Sequence, residues 1–572
     1  MLKYLLPISI ALVSASAFAK DYLEEYLPES AVVSISLDDF KAVMAHAEDG
    51  KLSEFFSASQ KEKWDAELSE PFETEDGERF VLQSGDELSL ANLSELLNGR
   101  LCASIVGFDQ ANDMEPSIVI MADFAGEVDA LRYLQVLDRE MPTDQVVLIE
   151  EPYAGVTLYT EEIADEPEED WMAEYWTLVD GIAIEATSLE LLKNVVDSII
   201  DSRSDGLGSS RGFLRSMDIA GDSQIRFYAN AAEAISLIQE AIAAEQEELP
   251  MNPLGLTMES IWDSLGLDSF KSFFFTLNLD GDNPESVLGV LYDERRGVLD
   301  VLAYTSDPIN YPHWVPSDAV DANIAMIDFS EAFASFEALM NDMSPNFGGM
   351  FQLQLDNMRE QTGIDLRESL MKNFGKQFTS YTMWDTSETS DIMEPTEHMV
   401  AAVPLRDPQA FQNAVKGLTE TFAPGVAVFS EREFLDYKIV TPANLNVADA
   451  PFGYSLANGH LFIAVGSVDL LERTLYRLQE SEGGLWSQPH IVDALTEFPP
   501  NPVENAYLNL GPLIDQMVSL YNSELQSSLG SDMDFELPEI NSDDLPYFVL
   551  SAGYVLEDAQ ITRIKILPKD EQ

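Results

Sequence analysis

Basic residues are scarce in this sequence. Its 572 residues include 31 Lys and Arg against 102 Asp and Glu, so the formal net charge is −71 at pH 7. A nucleic-acid binder needs a basic surface that neutralises phosphates, and anionic membranes attract basic segments in the same way. The composition therefore excludes a nucleic-acid binder and argues against an anionic membrane as partner. Because both halves are acidic, we hypothesise a surface suited to salt and a marine or halophilic bacterial source.

Cysteine is almost absent as well. Cys102 is the single cysteine and lies in the apolar stretch 101–108. One thiol cannot form an internal disulfide, so stability must come from the size of the core. The composition is 46% hydrophobic, which is enough for such a core. We expect Cys102 to be a buried strand residue rather than a nucleophile.

Long hydrophobic runs are missing after the first residues. The chain begins with Lys3, an apolar run over residues 4–13 and the small-residue stretch that ends in Ala17-Phe18-Ala19. This pattern predicts a signal peptide over 1–19 that is cleaved before Lys20. A membrane anchor would need about 20 apolar residues. The sequence therefore predicts an exported chain, periplasmic or secreted, without a transmembrane segment after cleavage.

An internal repeat with an offset of about 280 residues is the most informative feature. The segment 27–32 (LPESAV) returns as 315–320 (VPSDAV), and 176–181 (WTLVDG) returns as 454–459 (YSLANG). The serine-led segment 188–192 returns as 467–471. The prolines at 308, 312 and 316 indicate a linker. We therefore predict a first repeat over 20–307, a Pro-rich linker over 308–316 and a second repeat over 317–572.

Each repeat shows strand-like alternation interrupted by helical periods. The predicted order in the first repeat is β-α-β-β-α-β, a ferredoxin-like arrangement. A hairpin turn at Asp180-Gly181, a helix that starts at Ser188 and strands at 224–229, 270–279, 286–292 and 298–304 follow. The fold class predicted is α+β, with two tandem pseudo-repeats of antiparallel sheets and helices packed on one face.

Motifs for catalysis are weak. The five histidines lack metal-ligand spacing, so no metal ligand set is predicted, and we interpret His398 as a solvated strand end. The segment 208–212 (GSSRG) fits G-x-S-x-G but follows a polar loop instead of a buried strand, so we interpret it as a chance match. Phosphate-binding glycine motifs are absent. We predict no cofactor, with calcium on the acidic loops, such as 161–170, kept as a weak alternative.

Glu115 and Glu394 are the candidates for a specific role. Each lies in a Met-Glu-Pro segment, at 114–116 and 393–395. Acid–base work by this pair would require the two carboxylates to lie about 5–10 Å apart. A shared loop geometry before the strands explains the repetition equally well. No catalytic, cofactor-binding or metal-binding residues are predicted otherwise.

The duplicated layout resembles a family of large exported bacterial proteins of unknown function. The resemblance rests on the signal peptide, the [LV]-P-x-x-A-V openings and the steps at Asn98-Gly99-Arg100 and Phe374-Gly375-Lys376. It covers most of the chain after residue 19, and it implies no catalytic residues.

Three functions remain open at this point. The first is a non-enzymatic exported protein that binds or scaffolds a partner through its two similar halves. The second is a carrier of an apolar ligand or lipid held between sheet and helices. The third is a hydrolase. We favour the first because the repeat is clear and a catalytic constellation is missing.

Overall fold

The computed structural model describes most of the chain. The described residues are 22–39, 97–109, 115–124, 146–163, 175–201, 205–245, 255–279, 283–384, 397–422, 429–443, 452–480, 483–511 and 547–569, with single positions between 42 and 89. The predicted signal peptide, most of the acidic run 161–170 and Glu394 lie outside them, so the predictions on these residues stay predictions.

The chain divides into two compact units. Unit 1 comprises Met1–Glu245 and Lys271–Leu291, and unit 2 comprises Gln246–Phe270 and Tyr292–Gln572. Residues 308–316, the predicted linker, form neither helix nor strand. The structure groups residues 292–307 with unit 2, whereas the predicted first repeat, 20–307, includes them.

Unit 1 combines antiparallel strands with three helices among its described residues. The strands are β1 Val33–Leu37, β2 Leu97–Asp109, β3 Glu115–Phe124, β4 Val146–Tyr153, β5 Val156–Ile163, β6 Tyr175–Val179, β7 Ile182–Ala186, β8 Ile225–Asn230, β9 Phe270–Asn278 and β10 Glu285–Tyr292. The helices are α1 Leu189–Ile200, α2 Arg211–Ala220 and α3 Ala231–Glu245. The strands pair in the order β4-β5-β6-β7-β3-β2-β1-β8-β9-β10.

Within the part of the chain that the structure describes, unit 2 has more helix around a similar set of strands. Its strands are β11 Asp321–Met326, β12 Gln377–Trp384, β13 Glu397–Pro404, β14 Phe429–Phe434, β15 Tyr437–Pro442, β16 Phe452–Ala457, β17 His460–Val465, β18 Glu504–Asn509, β19 Tyr547–Val555 and β20 Ala559–Pro568. Its helices are α4 Met258–Leu265, α5 Val298–Val301, α6 Phe329–Met343, α7 Pro345–Thr362, α8 Leu366–Ser369, α9 Pro408–Phe422, α10 Val468–Arg477 and α11 Pro489–Leu495. The strands pair in the order β14-β15-β16-β17-β13-β12-β11-β18-β19-β20.

The two units thus share one order of strand pairing, position for position. The α+β class is the observed architecture, with helices and extensive antiparallel sheet. The ferredoxin-like arrangement is not what the described pairings give. A split βαβ unit has another strand between its two parallel strands, whereas β2, the next described strand after β1, pairs directly and antiparallel with β1.

Local turn chemistry follows the sequence closely. Asp180 and Gly181 both take positive φ, 51° and 87°, as a two-residue hairpin turn requires. The matching turn of unit 2, Asn458-Gly459, has φ of 48° and 76°. Helix α1 begins as predicted at Ser188, whose side chain accepts a hydrogen bond from the Leu191 amide.

The strand predicted over 298–304 is wrong. Residues Val298–Val301 form helix α5 instead. The spacing of the apolar residues at 298, 299, 301 and 302 fits a helical turn better than it fits the alternation of a strand. A positive φ at Ala303 then ends the segment.

The sheet around β1 carries polar side chains on its buried face. Ser34 faces Ser104 of β2 and Tyr228 of β8, and Ser36 faces Arg226 of β8, and all five side chains are buried. The opposite face is apolar, since Ile35 pairs with Phe227 and continues to Phe275. In unit 2 the polarity is reversed. The buried face has Ala322 and Ile324 on β11, and the other face has Asp321 and Asn323.

Candidate functional site

A cleft of about 540 Å³ opens on unit 2 and is our candidate binding site. Its volume lies within the range of small-molecule sites, roughly 300–1,000 Å³. It is lined by Pro316, Asp318, Tyr381, Met383, Phe434, Asp469, Leu470, Glu472, Arg473, Tyr476, Arg477 and Glu480. These residues come from strands β12 and β14, from the segment before β11 and, for the larger part, from helix α10.

Helix α10 presents one face to the core and the other to the cleft. Leu471 and Leu475, four residues apart, are fully buried, and Leu470 is nearly so. The charged and aromatic side chains Glu472, Arg473, Tyr476 and Arg477 lie on the other face, and Arg473 and Tyr476 are exposed. Since a helix repeats every 3.6 residues, this spacing turns the polar stripe away from the sheet and into the cleft.

Tyr381 supplies the buried floor of the cleft. Its hydroxyl lies 2.7 Å from Thr474 Oγ1, and Thr474 itself donates to the Leu470 carbonyl at 2.8 Å. Burial raises the pKa of Tyr381 above its ordinary value, and the nearby charge of Arg477 opposes that rise. Asp318 and Arg473 also act on this hydroxyl. Tyr381 is therefore a neutral hydrogen-bonding group at the centre of the charged rim.

Two arginines one helical turn apart face the cleft. Arg477 donates from Nη2 to the Gly483 carbonyl at 3.0 Å, while its Nε is buried without a hydrogen-bond partner. Arg473 is exposed, and within the described part of the chain it makes no hydrogen bond or ion pair. Like charges four residues apart on a helix repel each other. This arrangement leaves donors available for a group with negative charge.

Carboxylates complete the rim. Glu472 forms an ion pair with Arg432 of β14. Asp318, Asp469 and Glu480 have no ion pair among the described residues, although Asp469 lies four residues before Arg473, where a helical ion pair would fit. The cleft thus holds unpaired charges of both signs.

Among the described residues, the corresponding place in unit 1 has no unpaired arginine. By the repeat offset, Glu151, Tyr153, Lys193 and Asp197 stand where unit 2 has Arg432, Phe434, Glu472 and Tyr476. The Tyr153 hydroxyl donates to the Asp197 carboxylate at 3.0 Å. Lys193 pairs with Glu151 at 2.8 Å, and its ammonium lies 5.2 Å from the centre of the Tyr153 ring.

The two arginines of the cleft have uncharged counterparts in unit 1. Asn194 stands at the position of Arg473, and Ser198 stands at that of Arg477. Ser198 is buried, with 7% of its surface exposed. The hairpin-to-helix ion pair is kept with its signs reversed, but the free arginines are specific to unit 2.

A buried ionic cluster in unit 1 was missed by the sequence analysis. Arg226, 2% exposed, donates to the Glu24 carboxylate at 3.2 and 3.3 Å and to Asp38 at 2.7 Å. Its guanidinium also lies 4.7 Å from the centre of the Tyr22 ring. Glu24 is fully buried and accepts a hydrogen bond from Ser36. The strand period, which puts Arg226 and Tyr228 on one face, is a signal that could have revealed an inward arginine.

Burial governs the acidic side of this cluster. Desolvation raises the pKa of Asp38, and hydrogen bonding and charge from Arg226 oppose the rise. Desolvation likewise raises the pKa of Asp123, which forms an ion pair with Arg100 at 2.7 Å. The cluster fixes the segment before β1 onto the sheet, which is a structural role.

The structure describes Glu115 and His398 of the residues that the sequence analysis singled out. Glu115 is the first residue of β3, exposed and opposite Asp109. Glu394 lies outside the described residues, so a role for the pair stays a prediction. His398, interpreted from sequence as a solvated strand end, is half-buried in β13, and its Nδ1 is buried without a partner. For that nitrogen the interpretation is wrong, because β12 and β17 flank the strand.

Ser210 and Cys102 have structural positions. Ser210 caps helix α2 and accepts a hydrogen bond from the Phe213 amide at 3.3 Å. No buried strand precedes it directly, as a nucleophile elbow would require. Cys102 is fully buried in β2, as predicted, and burial raises the pKa of its thiol. Within the described residues, no group of three or more His, Cys, Asp or Glu side chains is placed to hold a metal ion.

Comparisons with known proteins give little. No family model and no curated protein matches the chain. Solved structures of TP0453 in crystal forms IV, III and I are similar, with TM-scores of 0.23, 0.21 and 0.20 and identities of 8%, 10% and 9%. The matches cover 48%, 46% and 50% of this chain and 81%, 95% and 80% of the others. At these TM-scores the likeness carries no argument. No helix among the described residues is long and apolar enough to span a membrane.

Proposed function

We propose that this chain is an exported, non-enzymatic binding protein that holds its partner in the cleft of unit 2. The observation that carries the proposal is the pair Arg473 and Arg477, whose donors are left without acidic partners in a protein with a threefold excess of acids. A buried donor without a partner, such as Arg477 Nε, is costly unless a ligand supplies the partner. Export follows from the predicted signal peptide over 1–19, with a periplasmic or secreted location.

The composition of the cleft supports binding over catalysis. Among the described residues, its lining contains no serine, cysteine, histidine or lysine, so the usual nucleophiles and the commonest general base are missing from that part of the lining. The carboxylates Asp469 and Glu472 lie on the same helix as the arginines. A hydrolase acting through two carboxylates is therefore the outcome that would contradict the proposal.

We also infer that the two units are copies of one ancestral repeat, as the sequence matches suggest. The shared order of strand pairing supports this origin, and so does an equivalent pair of hydrogen bonds. The Leu207 amide donates to the Leu27 carbonyl, and the Leu485 amide donates to the Val315 carbonyl, each at 2.9 Å. On this view either unit 1 lost the unpaired charges or unit 2 gained them. The binding function then belongs to unit 2.

A ligand screen tests the proposal. The full-length processed protein is heated with a panel of amino acids, short peptides, sugars and mono- and dicarboxylates. A ligand present at 100 times its Kd stabilises the fold by about 2.7 kcal/mol. The double variant Arg473→Asn/Arg477→Ser, which carries the residues of unit 1, should lose the shift, whereas Arg215→Asn on α2 should keep it. Turnover of a panel member that disappears on substituting a cleft carboxylate would overturn the non-enzymatic proposal.

A second candidate, a carrier of an apolar ligand, is favoured by a partly exposed apolar face of the sheet in unit 1. Phe273 is 45% exposed and Ile35 is 38% exposed, and the half-buried Phe227 and Phe275 lie between them. Single exposed apolar residues are ordinary, but a contiguous apolar face marks an interaction surface. Titration with oleate, followed by native mass spectrometry, tests this candidate. Oleate binding that is lost in Phe273→Asp but kept in Leu214→Asp would support this candidate.

A further inference from the structure

We infer that the ligand of the unit 2 cleft is a short peptide with free ends, whose carboxylate is bound by Arg473 and Arg477 and whose ammonium is bound by the acidic rim. This inference rests on the proposed function and names the chemistry of the ligand. It uses three properties of the cleft: the signs of its unpaired charges, its aromatic lining and its size.

The unpaired charges call for a ligand with both signs. Asp318, Asp469 and Glu480 have no ion-pair partner in the described part of the chain, and neither has Arg473. A multiply charged anion such as phosphate would meet more negative than positive rim groups. A cation without a carboxylate would leave the arginines unsatisfied. A zwitterion satisfies both sets at once and adds no net charge to the cleft.

The arginines favour a carboxylate as the negative group. A guanidinium presents N–H donors in a planar fork that matches the two oxygens of a carboxylate. Arg477 is held at one end by its hydrogen bond to the Gly483 carbonyl, and its Nε is buried without a hydrogen-bond partner. Holding the fork in place reduces the entropy that ligand binding costs.

The remaining lining suits a side chain with apolar surface. Phe434 and Tyr476 add two rings at the sides, and Leu470 and Pro316 are buried beneath. Tyr381, whose hydroxyl is paired with Thr474, closes the floor below them. At about 540 Å³ the cleft has room for more than a single amino acid.

Three versions of one tripeptide test the inference by calorimetry on the full-length processed protein. Ala-Phe-Ala should bind, its C-terminal amide should bind at least tenfold more weakly, and so should its N-acetyl form. A charge-assisted contact in a partly buried site contributes about a factor of ten in affinity. Circular dichroism and thermal unfolding confirm that each protein variant with a substituted cleft residue keeps the fold.

A double-mutant cycle separates direct contact from a structural effect. Arg473→Asn/Arg477→Ser should weaken the free tripeptide at least tenfold but leave the affinity for the amide unchanged, because the amide already lacks the carboxylate. Asp469→Asn/Glu480→Gln should weaken binding of the free tripeptide but leave the affinity for the N-acetyl form unchanged, because that form already lacks the ammonium. Equal weakening of the free and the capped tripeptides by these variants would overturn the inference.

The outcomes also separate this inference from the proposed function. If no tripeptide binds while another member of the panel binds in an Arg473- and Arg477-dependent manner, the peptide inference fails and the binding function stands. If the free tripeptide and its amide bind equally well, the carboxylate assignment fails. If nothing in the panel or the tripeptide series binds, both fail.

Discussion

The buried ion pair between Arg226 and Glu24 gives the sharpest stability prediction. Replacing Arg226 by Met keeps much of the side-chain volume but leaves the Glu24 carboxylate, which is 0% exposed, without its cation. Removing one partner of a buried pair costs about 3–5 kcal/mol. A change of 1 kcal/mol moves the Tm of a 150–250-residue domain by roughly 2–4 °C. We therefore expect the transition of unit 1 to fall by roughly 6–20 °C.

The assay is differential scanning calorimetry together with urea unfolding of the full-length protein. The matched control is Arg215→Met on α2, whose partner Asp218 is 73% exposed, so its loss should stay within about 0.5 kcal/mol. The double variant Glu24→Gln/Arg226→Met removes both charges and should recover most of the lost stability, because an apolar replacement of a buried pair is often nearly neutral. A cost below about 1 kcal/mol for Arg226→Met, or an equal cost for Arg215→Met, would refute the reasoning.

Three further predictions concern the backbone and pH. Ser188→Ala should cost about 1 kcal/mol in urea unfolding, and Ser467→Ala at the matching helix start should be near neutral, since the Ser467 side chain makes no capping hydrogen bond; equal costs would contradict this. Gly206→Ala should prevent stable folding, as followed by circular dichroism, because the added Cβ would overlap two carbonyl oxygens of the segment before β1, whereas Gly107→Ala has open space; a stable Gly206→Ala would contradict it. Burial raises the pKa of Tyr304 to about 12 from an ordinary value of 10.0, so the stability that this phenol contributes is complete below pH 10 and is lost as pH rises towards 12. Tyr304→Phe should show a smaller alkaline loss in urea unfolding between pH 9 and 11.5, and an unchanged loss would exclude this cause.

Several elements of the fold could be predicted from particular residues. The Asp180-Gly181 turn and the Ser188 cap depend on local conformational preferences, so single residues specify them. The prediction of a strand over 298–304 was wrong because a short apolar run fits the period of a helix as well as that of a strand. The backbone on either side of the run favours the helix. The ferredoxin-like order was not confirmed, for another reason. Which strands pair is a matter of contacts distant in the sequence, and alternation alone does not specify them.

The candidate site was beyond sequence reasoning for the same physical reason. Nothing local distinguishes Arg473 and Arg477 from other arginines on an amphipathic helix. Their lack of acidic partners appears only when β12, β14 and the segment before β11 are placed around α10. Sequence patterns directed attention to Glu115 and Glu394 instead, because a repeated motif is visible without coordinates.

The sequence by itself determined the net charge of −71, the α+β class and the local turns and caps, since these depend on composition and on neighbouring residues. The tertiary structure decided which charges are left without partners. The repeated halves carry similar patterns, yet one has paired groups at the hairpin-helix contact and the other has free arginines in a cleft. It also decided that Arg226 is buried between two carboxylates. Such pairings depend on side chains that meet across as many as 200 residues of sequence, and only the packed fold brings them together.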